Sequence, residues 1–163
     1  MSPERQDVGE HLAEKYETTP EQSAASRAMM TARGKELGFE FNFADGFRMH
    51  NTFNTHQLLH WANELGRMHE LKQALFTAHF SHGRNLSDDA ILVEIAGDTG
   101  LDRVEEQAVL DDPRYANAVR QEQQFWIQQG ITGVPAVVFD RQHLVTGAQG
   151  VDNFKSILAQ LKT

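Results

Sequence analysis

The stretch that most constrains the fold is Gly130–Gly147, in which two short apolar runs flank a polar turn. The first run, Ala136–Phe139, is rich in β-branched residues, and the second, His143–Thr146, alternates between apolar and polar residues. This pattern predicts two antiparallel strands joined by a tight hairpin. Since Pro135 has no N–H for a strand ladder, we expect it to begin its strand, and the bond between Val134 and Pro135 is of the kind that can be cis.

Composition and charge exclude several classes of protein. A chain of 163 residues, 40 % of them hydrophobic, is long and apolar enough for one globular domain with a proper core. No apolar run approaches the length of a transmembrane helix. The formal net charge of −8 argues against a nucleic-acid partner, because binding to a phosphate backbone needs a basic surface. We therefore predict a cytoplasmic protein that binds neither nucleic acid nor membrane.

The sequence contains no cysteine. Thiol–disulfide exchange begins with the attack of a thiolate on a disulfide sulfur, so these residues cannot carry out dithiol chemistry by themselves. Phosphate-binding glycine loops, serine-nucleophile elbows and paired catalytic carboxylates are also absent from the sequence. The pairs Asp88–Asp89 and Asp111–Asp112 are interpreted as helix caps. No catalytic residue is therefore assigned within the chain.

Capping signals and 3.6-residue periodicity predict helices along most of the chain before the hairpin. A helix is expected over Gln6–Tyr16. The next begins after Thr19, with Pro20 in its first turn and Gln22 completing a capping box, and should stop at Gly38. The later predicted helices are Asn51 or Thr52 to Gly66, Met68 to about Gly83, a short one capped by Ser87–Asp89, one opened by Asp102, Pro113 to Gly130, and one carrying Val151 to Leu161.

Aromatic and histidine residues suggest further sites. Four phenylalanines between positions 39 and 47 are interpreted as core packing, with an apolar substrate site as the alternative. His56 and His60, like His79 and His82, have a helical spacing that could hold zinc. Neither pair has the glutamate of a metalloprotease motif between its two histidines, and no cysteine can complete a structural site. We therefore predict no metal site.

In combination, several motifs resemble the DsbA-like thioredoxin family and, within it, the FrnE-type subgroup of oxidoreductases. These motifs are Arg48–Thr52 with His56, Ala74–Phe76 with Phe80, Gly83–Arg84, Gly100–Asp102, Gly130–Pro135 and Gly147–Gln149. The resemblance covers nearly the whole chain. It implies a mostly helical α/β thioredoxin-like fold, with a helical insertion domain at residues 1–112. Residues 113–163 would form the C-terminal half of the thioredoxin fold, comprising the hairpin and the terminal helix.

The resemblance also implies a truncated enzyme. Members of the family carry Cys-x-x-Cys, or a Ser or Cys variant, after their first strand, and this segment has no counterpart here. Met1 is therefore interpreted as an internal methionine of a longer reading frame. The expected family activity is disulfide exchange with a thiol or disulfide substrate protein or a small thiol. No cofactor is required, although glutathione could take part, and the chain alone should be inactive in dithiol chemistry.

The resemblance implies substrate-binding residues at the hairpin. In thioredoxin-like folds the bond preceding the residue matched by Pro135 is cis. The residue matched by Val134 offers its main-chain N–H and C=O to an extended substrate or to glutathione. This is recognition by strand addition, in which main-chain groups provide the affinity. Gln149, after the hairpin, is included with the same substrate-binding set.

A second set of substrate-binding residues is implied upstream. In FrnE-like proteins the segment matched by Asn51 and Thr52 faces the cleft, where polar groups could orient a substrate and His56 could move a proton near neutral pH. The alternative is that Asn51 or Thr52 caps a helix and that His56 lies on the surface. Both interpretations remain open from the sequence.

Two other functions remain open. Kappa-class glutathione transferases and 2-hydroxychromene-2-carboxylate isomerases share the implied architecture and use bound glutathione. A non-catalytic binding module would also fit a chain without cysteine.

The thioredoxin-like fold that the resemblance implies has a first strand beside Ala136–Phe139, and that strand is missing here. Ala136–Phe139 would therefore be an unprotected apolar edge. We therefore predict a homodimer or another strand-pairing partner.

Overall fold

The computed structural model describes residues 19–43 and 47–161, which form two units. The first unit ends at Val119 and the second begins at Arg120. The domain boundary predicted from the sequence, between residues 112 and 113, stays a prediction. The helix expected over Gln6–Tyr16 lies outside the described residues.

The first described helix, α1, spans Pro20–Glu36 and has the predicted capping box. Thr19 Oγ1 accepts a hydrogen bond from the N–H of Gln22, and Gln22 Oε1 accepts one from the N–H of Thr19. These reciprocal bonds satisfy donors that a helix start otherwise leaves without partners. After the helix Gly38 adopts a φ of 77°, a left-handed conformation that glycine reaches without a Cβ clash.

Within the described residues, five more α-helices precede the hairpin, and most begin at predicted caps. They are α2 (Phe53–Glu64), α3 (Met68–Phe76), α4 (Asp89–Asp98), α5 (Arg103–Asp111) and α6 (Pro113–Gln128). Asp88, Asp102 and Asp112 each accept a hydrogen bond from a main-chain N–H in the first turn of α4, α5 and α6, respectively. The interpretation of these aspartates as caps is therefore confirmed. Asp89 instead accepts a hydrogen bond from the Asn54 side chain at 2.7 Å.

The helix predicted to run from Met68 to about Gly83 changes its geometry before its end. It is α-helical to Phe76 and continues as a π turn, Thr77–Ser81. The N–H of His82 donates to the carbonyl of Thr77, five residues earlier. A π turn inserts one residue into the helical repeat and so changes the direction of the side chains that follow, and such turns are frequent at functional sites.

The hydrophobic core of the first unit forms where α2 packs on α3 and α5, and α4 packs on α3 and α5. Leu58, Leu71 and Leu92 are completely buried, each contributing about 2 kcal/mol by removal from water. The core also holds a carboxyl group, because Glu106 of α5 has no exposed surface. Neither of its carboxyl oxygens has a hydrogen-bond partner within the described residues.

The second unit contains the predicted hairpin and the last helix. Strands β1 (Ala136–Phe139) and β2 (His143–Thr146) are antiparallel, and α7 spans Val151–Leu161. The Val134–Pro135 peptide is cis, and the N–H of Gly147 donates to the carbonyl of Pro135, which adds one bond to the ladder. The ring of Phe139 lies 6.2 Å from that of Phe154 on α7, as expected for a helix with one apolar face. The two-stranded sheet and the mostly helical chain agree with the predicted fold class.

Across residues 19–43 and 47–161, no helix combines the length and the apolarity that crossing a membrane requires.

Candidate functional site

The first unit contains a pocket of about 420 Å³ formed by α2, α3, the π turn and the segment before α2. Ligand pockets in proteins start at about 300 Å³, so this one has room for a small molecule. Its apolar lining consists of Met49, Leu59, Leu75, Phe76, Phe80 and Leu86. Leu75 and Leu86 are almost fully buried, whereas Phe76 is 41 % exposed. The pocket thus has an apolar interior, and the partly exposed Phe76 lies on its solvent side.

Basic and neutral polar groups complete the lining. They are Arg48, Lys72, His50, His56, His79, Thr52 and Thr55. The Nζ atom of Lys72 lies 6.0 Å from the centroid of the Phe76 ring, at the outer limit of a cation–π contact. None of the described residues that line the pocket carries a carboxylate. This local charge contrasts with the chain as a whole, which has 23 acidic and 15 basic residues.

Two of the pocket histidines are held neutral by their surroundings. His50 and His79 have ring centroids 5.7 Å apart. Burial lowers the pKa of both imidazoles. The pKa of His50 is lowered further by His79, when that ring is protonated, and by the positive charge of Arg48. The Nδ1 atom of His79 lies 3.4 Å from the carbonyl oxygen of Arg84, so a neutral ring would carry its proton there. The Nε2 atom would then be an acceptor.

The three residues predicted near the start of α2 have different environments. Asn51 Oδ1 accepts a hydrogen bond from the N–H of Phe53 at 2.9 Å, which is the behaviour of a residue that caps a helix start. Thr52 occupies the N-cap position without a side-chain capping bond, and it lines the pocket together with His56. The structure therefore brings Thr52 and His56 to one pocket. Substrate binding by these residues stays a prediction.

The predicted residues of the hairpin lie in the second unit. The Val134 side chain is 91 % exposed, and Pro135 is exposed as well. Within residues 19–43 and 47–161, neither the N–H nor the C=O of Val134 has a hydrogen-bond partner. Gln149 donates through Nε2 to the carbonyl of Thr146 at 2.9 Å and accepts through Oε1 from Asn153 at 2.6 Å. Its side chain therefore ties the end of β2 to the first turn of α7.

Reasoning from the sequence did not identify Lys72 and His79 as site residues, although a signal was present. The pocket-lining residues of α2 recur as Thr52, Thr55, His56 and Leu59, and those of α3 and its π turn as Lys72, Leu75, Phe76, His79 and Phe80. Both series have the spacing of a single helix face. Two such faces that mix apolar, histidine and lysine side chains would have indicated a pocket between neighbouring helices.

The histidine pairs do not extend to a metal site in the part of the chain that the structure describes. His56 and His60 lie in α2, and His79 lies in the π turn that His82 follows, but no group of three or more His, Asp or Glu side chains that could hold a metal ion occurs among the described residues. Structural and catalytic zinc sites take at least three protein ligands.

Comparisons with known proteins agree with the architecture. Residues 3–159 match the family model described as the DSBA-like thioredoxin domain. The chain is also similar to the crystal structure of a probable DsbA oxidoreductase from Streptomyces coelicolor, with 38 % sequence identity and a TM-score of 0.85. That match covers 95 % of this chain and 67 % of the other. No curated protein matches the sequence.

Proposed function

Because the chain belongs to the DSBA-like thioredoxin domain family, we propose that it forms the substrate-binding part of a thiol–disulfide oxidoreductase. The 163 residues contain no cysteine, so the proposal places the nucleophile in polypeptide outside them. The incomplete coverage of the similar Streptomyces protein, of which 67 % is matched, supports this arrangement. The motifs around Asn51 and Gly147 favour the FrnE-type subgroup.

The observation that carries the proposal is the main chain of Val134. Its N–H and C=O lack partners within the described residues, and they lie directly before the first bond of the hairpin ladder, between Pro135 and Gly147. An extended peptide laid along this edge would exchange main-chain hydrogen bonds with Val134, as in other cases of strand addition. The exposed side chain leaves room for such a peptide.

In the proposed reaction, a cysteine outside these 163 residues attacks a disulfide of the substrate peptide that is bound at the main chain of Val134. The cysteine thiolate attacks one sulfur, a mixed disulfide forms, and the other sulfur leaves as a thiolate. The contribution of this chain is to fix the extended substrate near the nucleophile, which lowers the entropic cost of the attack.

One test concerns the chemistry. The purified chain, assayed for insulin reduction with dithiothreitol as reductant, should give the rate of the protein-free blank, since it supplies no thiolate. A DsbA-type enzyme in the same buffer serves as the positive control. A rate above the blank that co-purifies with the chain, in a sample free of thioredoxin, would contradict the proposal that the nucleophile lies outside these residues.

A second test concerns binding. An extended eight-residue peptide with a central S-methylated cysteine is titrated into the ¹⁵N-labelled chain, and amide shifts are followed by NMR. Saturable shifts should centre on Val134 and Ala136. N-methylation of the paired peptide residue should weaken binding at least tenfold, because it removes a main-chain donor. The variant Val134→Ala should bind nearly as well as the parent, because the side chain supplies little.

The outcomes separate the rival functions. Equal binding of the N-methylated peptide, or a large loss in Val134→Ala, would overturn main-chain recognition. Saturable binding of glutathione that displaces the peptide from Val134 would instead favour a glutathione-dependent isomerase or transferase. Absence of peptide binding in a chain with an intact hairpin spectrum would also reject the proposal.

A further inference from the structure

We propose that the pocket of the first unit binds a small carboxylate with an apolar, aromatic-sized body. The inference rests on the lining of that pocket and is independent of the role proposed for the hairpin. Its elements are an apolar interior, two cationic side chains, and the imidazoles of His50 and His79.

The charge of the lining selects an anion. Arg48 and Lys72 are the charged groups among the described lining residues, and both are cationic. An acidic chain with a net charge of −8 would more often place carboxylates beside exposed cations, as it does for Arg84 with Glu94 and for Arg103 with Asp98. Because the described lining residues offer Arg48 and Lys72 no carboxylate, the pocket favours a ligand that supplies the negative charge.

The potential inside the pocket has the same sign. Beside its burial, the pKa of His50 is lowered by the positive charge of Arg48, and by that of His79 when His79 is protonated. None of the described residues that line the pocket places a carboxylate beside His50. A carboxylate ligand would therefore meet a positive potential next to low-dielectric walls, where charge–charge attraction is stronger than in water.

The apolar part of the lining selects the body of the ligand. Leu59, Leu75 and Leu86 line the interior, and the rings of Phe76 and Phe80 lie 6.1 Å apart at a tilt of 52°. Inorganic phosphate or a small hydrophilic acid would leave this surface unfilled. A flat apolar body would bury it, at a gain of about 25 cal/mol per Å². Lys72, above the Phe76 ring, could then reach the carboxylate at the mouth.

The test compares 2-naphthoate with 2-naphthamide, its neutral counterpart of the same shape. Each is titrated into the full chain by calorimetry, and ¹H–¹³C spectra of leucine methyl groups report the location. Naphthoate should bind at least tenfold more tightly than naphthamide and should shift the methyl signals of Leu59, Leu75 and Leu86. Lys72→Met removes the charge and keeps an apolar stem of similar length. This substitution should weaken the binding of naphthoate about tenfold, which corresponds to 1.4 kcal/mol, and should leave the affinity for naphthamide unchanged.

Two controls make the result decisive. Lys155→Met removes an exposed lysine of the second unit and should change neither affinity, whereas Lys72→Arg should restore most of the naphthoate affinity. The inference is overturned if naphthamide binds as tightly as naphthoate, if Lys155→Met weakens binding as much as Lys72→Met, or if the methyl shifts map elsewhere. Absence of saturable naphthoate binding overturns it as well. Peptide binding at Val134 is a separate measurement and can succeed or fail independently.

Discussion

The hydroxyl of Tyr115 joins two helices that are far apart in sequence, because it donates a 3.1 Å hydrogen bond to Oε2 of Glu64, 51 residues earlier. Tyr115 is 4 % exposed, and the guanidinium of Arg114 lies over its ring and donates to its oxygen at 2.7 Å. Burial, followed by the bond to Glu64, raises the pKa of the phenol. The start of α6 is thereby fastened to the end of α2.

We expect Tyr115→Phe to lower the free energy of unfolding by about 1 kcal/mol, the usual net contribution of one hydrogen bond. Urea unfolding at pH 7 measures this loss. A double-mutant cycle with Glu64→Gln should show coupling, since the two variants remove parts of one interaction. Strictly additive losses would mean that the contact does not stabilise the fold.

The close approach of α1 to the segment that follows it leads to a second prediction. A Cβ atom at Gly34 would lie 2.5 Å from Cδ2 of Phe41 and 2.7 Å from the carbonyl oxygen of Phe39. Alanine normally stabilises a helix by about 1 kcal/mol over glycine. Here we expect Gly34→Ala to destabilise the protein by about 1–3 kcal/mol, because a well-packed contact would have to open.

Thermal unfolding of Gly34→Ala should be compared with that of Ala28→Gly. Ala28 is exposed on the same helix, so its replacement reports the helix propensity alone. Both variants should unfold below the temperature of the parent. A higher melting temperature for Gly34→Ala would show that Phe41 does not pack against the glycine in solution.

The sequence predicted those parts of the fold that depend on local signals. The capping box at Thr19, the aspartate caps and the hairpin around Asp140 each need only neighbours in the chain, and all are present in the structure. The π turn was not predicted, and the resemblance placed Thr52 and His56 at a cleft without indicating the part that α3 plays in the pocket. The π turn and the pocket depend on how α2 and α3 pack, which determines whether a residue such as Lys72 or His79 lies in the pocket or in solvent.

The burial of the Glu106 carboxyl could not be predicted from its neighbours in the sequence either, since a glutamate in an amphipathic helix is normally exposed. Burial raises its pKa from 4.5 to about 7, an effect that the charge of Arg103 reduces and that of Asp102 increases. Well below pH 4.5 both the folded and the unfolded states hold the proton, so the ionisation of Glu106 does not lower the stability. As the pH rises from about 4.5 to about 7, only the unfolded state ionises, and the folded state loses stability.

We therefore expect Glu106→Gln, relative to the parent, to gain about 3 kcal/mol of stability between pH 4.5 and pH 8. Above about pH 7, the difference in stability between Glu106→Gln and the parent should no longer change with pH. Urea unfolding at half-unit steps of pH gives the difference curve. Glu105→Gln, exposed one position earlier on the same helix, is the matched control. Identical curves for the two variants would show that Glu106 ionises freely in the folded protein.

The imidazoles of the pocket predict a pH dependence for carboxylate binding. Burial keeps His79 neutral, with its pKa below the usual value. A bound carboxylate would stabilise the imidazolium and raise that pKa, so that binding takes up a proton. The affinity for 2-naphthoate should therefore increase as the pH falls from 8 to 6. Calorimetry in two buffers of different ionisation enthalpy measures the uptake, which His79→Gln should reduce. A pH-independent affinity would exclude His79 from the interaction.

The last prediction concerns the open edge of the hairpin. The sheet contains only β1 and β2 in the described part of the chain, so β1 has a free edge there. On one face of the sheet Val138 and its partner Leu144 are 36 % and 44 % exposed. Natural edges carry charges, prolines or bulges that prevent pairing, and Ala136–Phe139 has none of these within it. We therefore expect the chain to associate through β1 or to exchange its hairpin amides rapidly.

Sedimentation velocity over a hundredfold range of concentration should reveal this association. Val138→Lys places a charge on the free edge and should shift the equilibrium toward the monomer. Leu144→Lys puts the same charge on the same face but on β2, and should have the smaller effect. If Leu144→Lys were the variant that released monomers, pairing would occur through β2 instead. A monodisperse monomer of the parent chain, with slow amide exchange at Val137 and Val138, would contradict the prediction and would mean that another part of the chain protects β1.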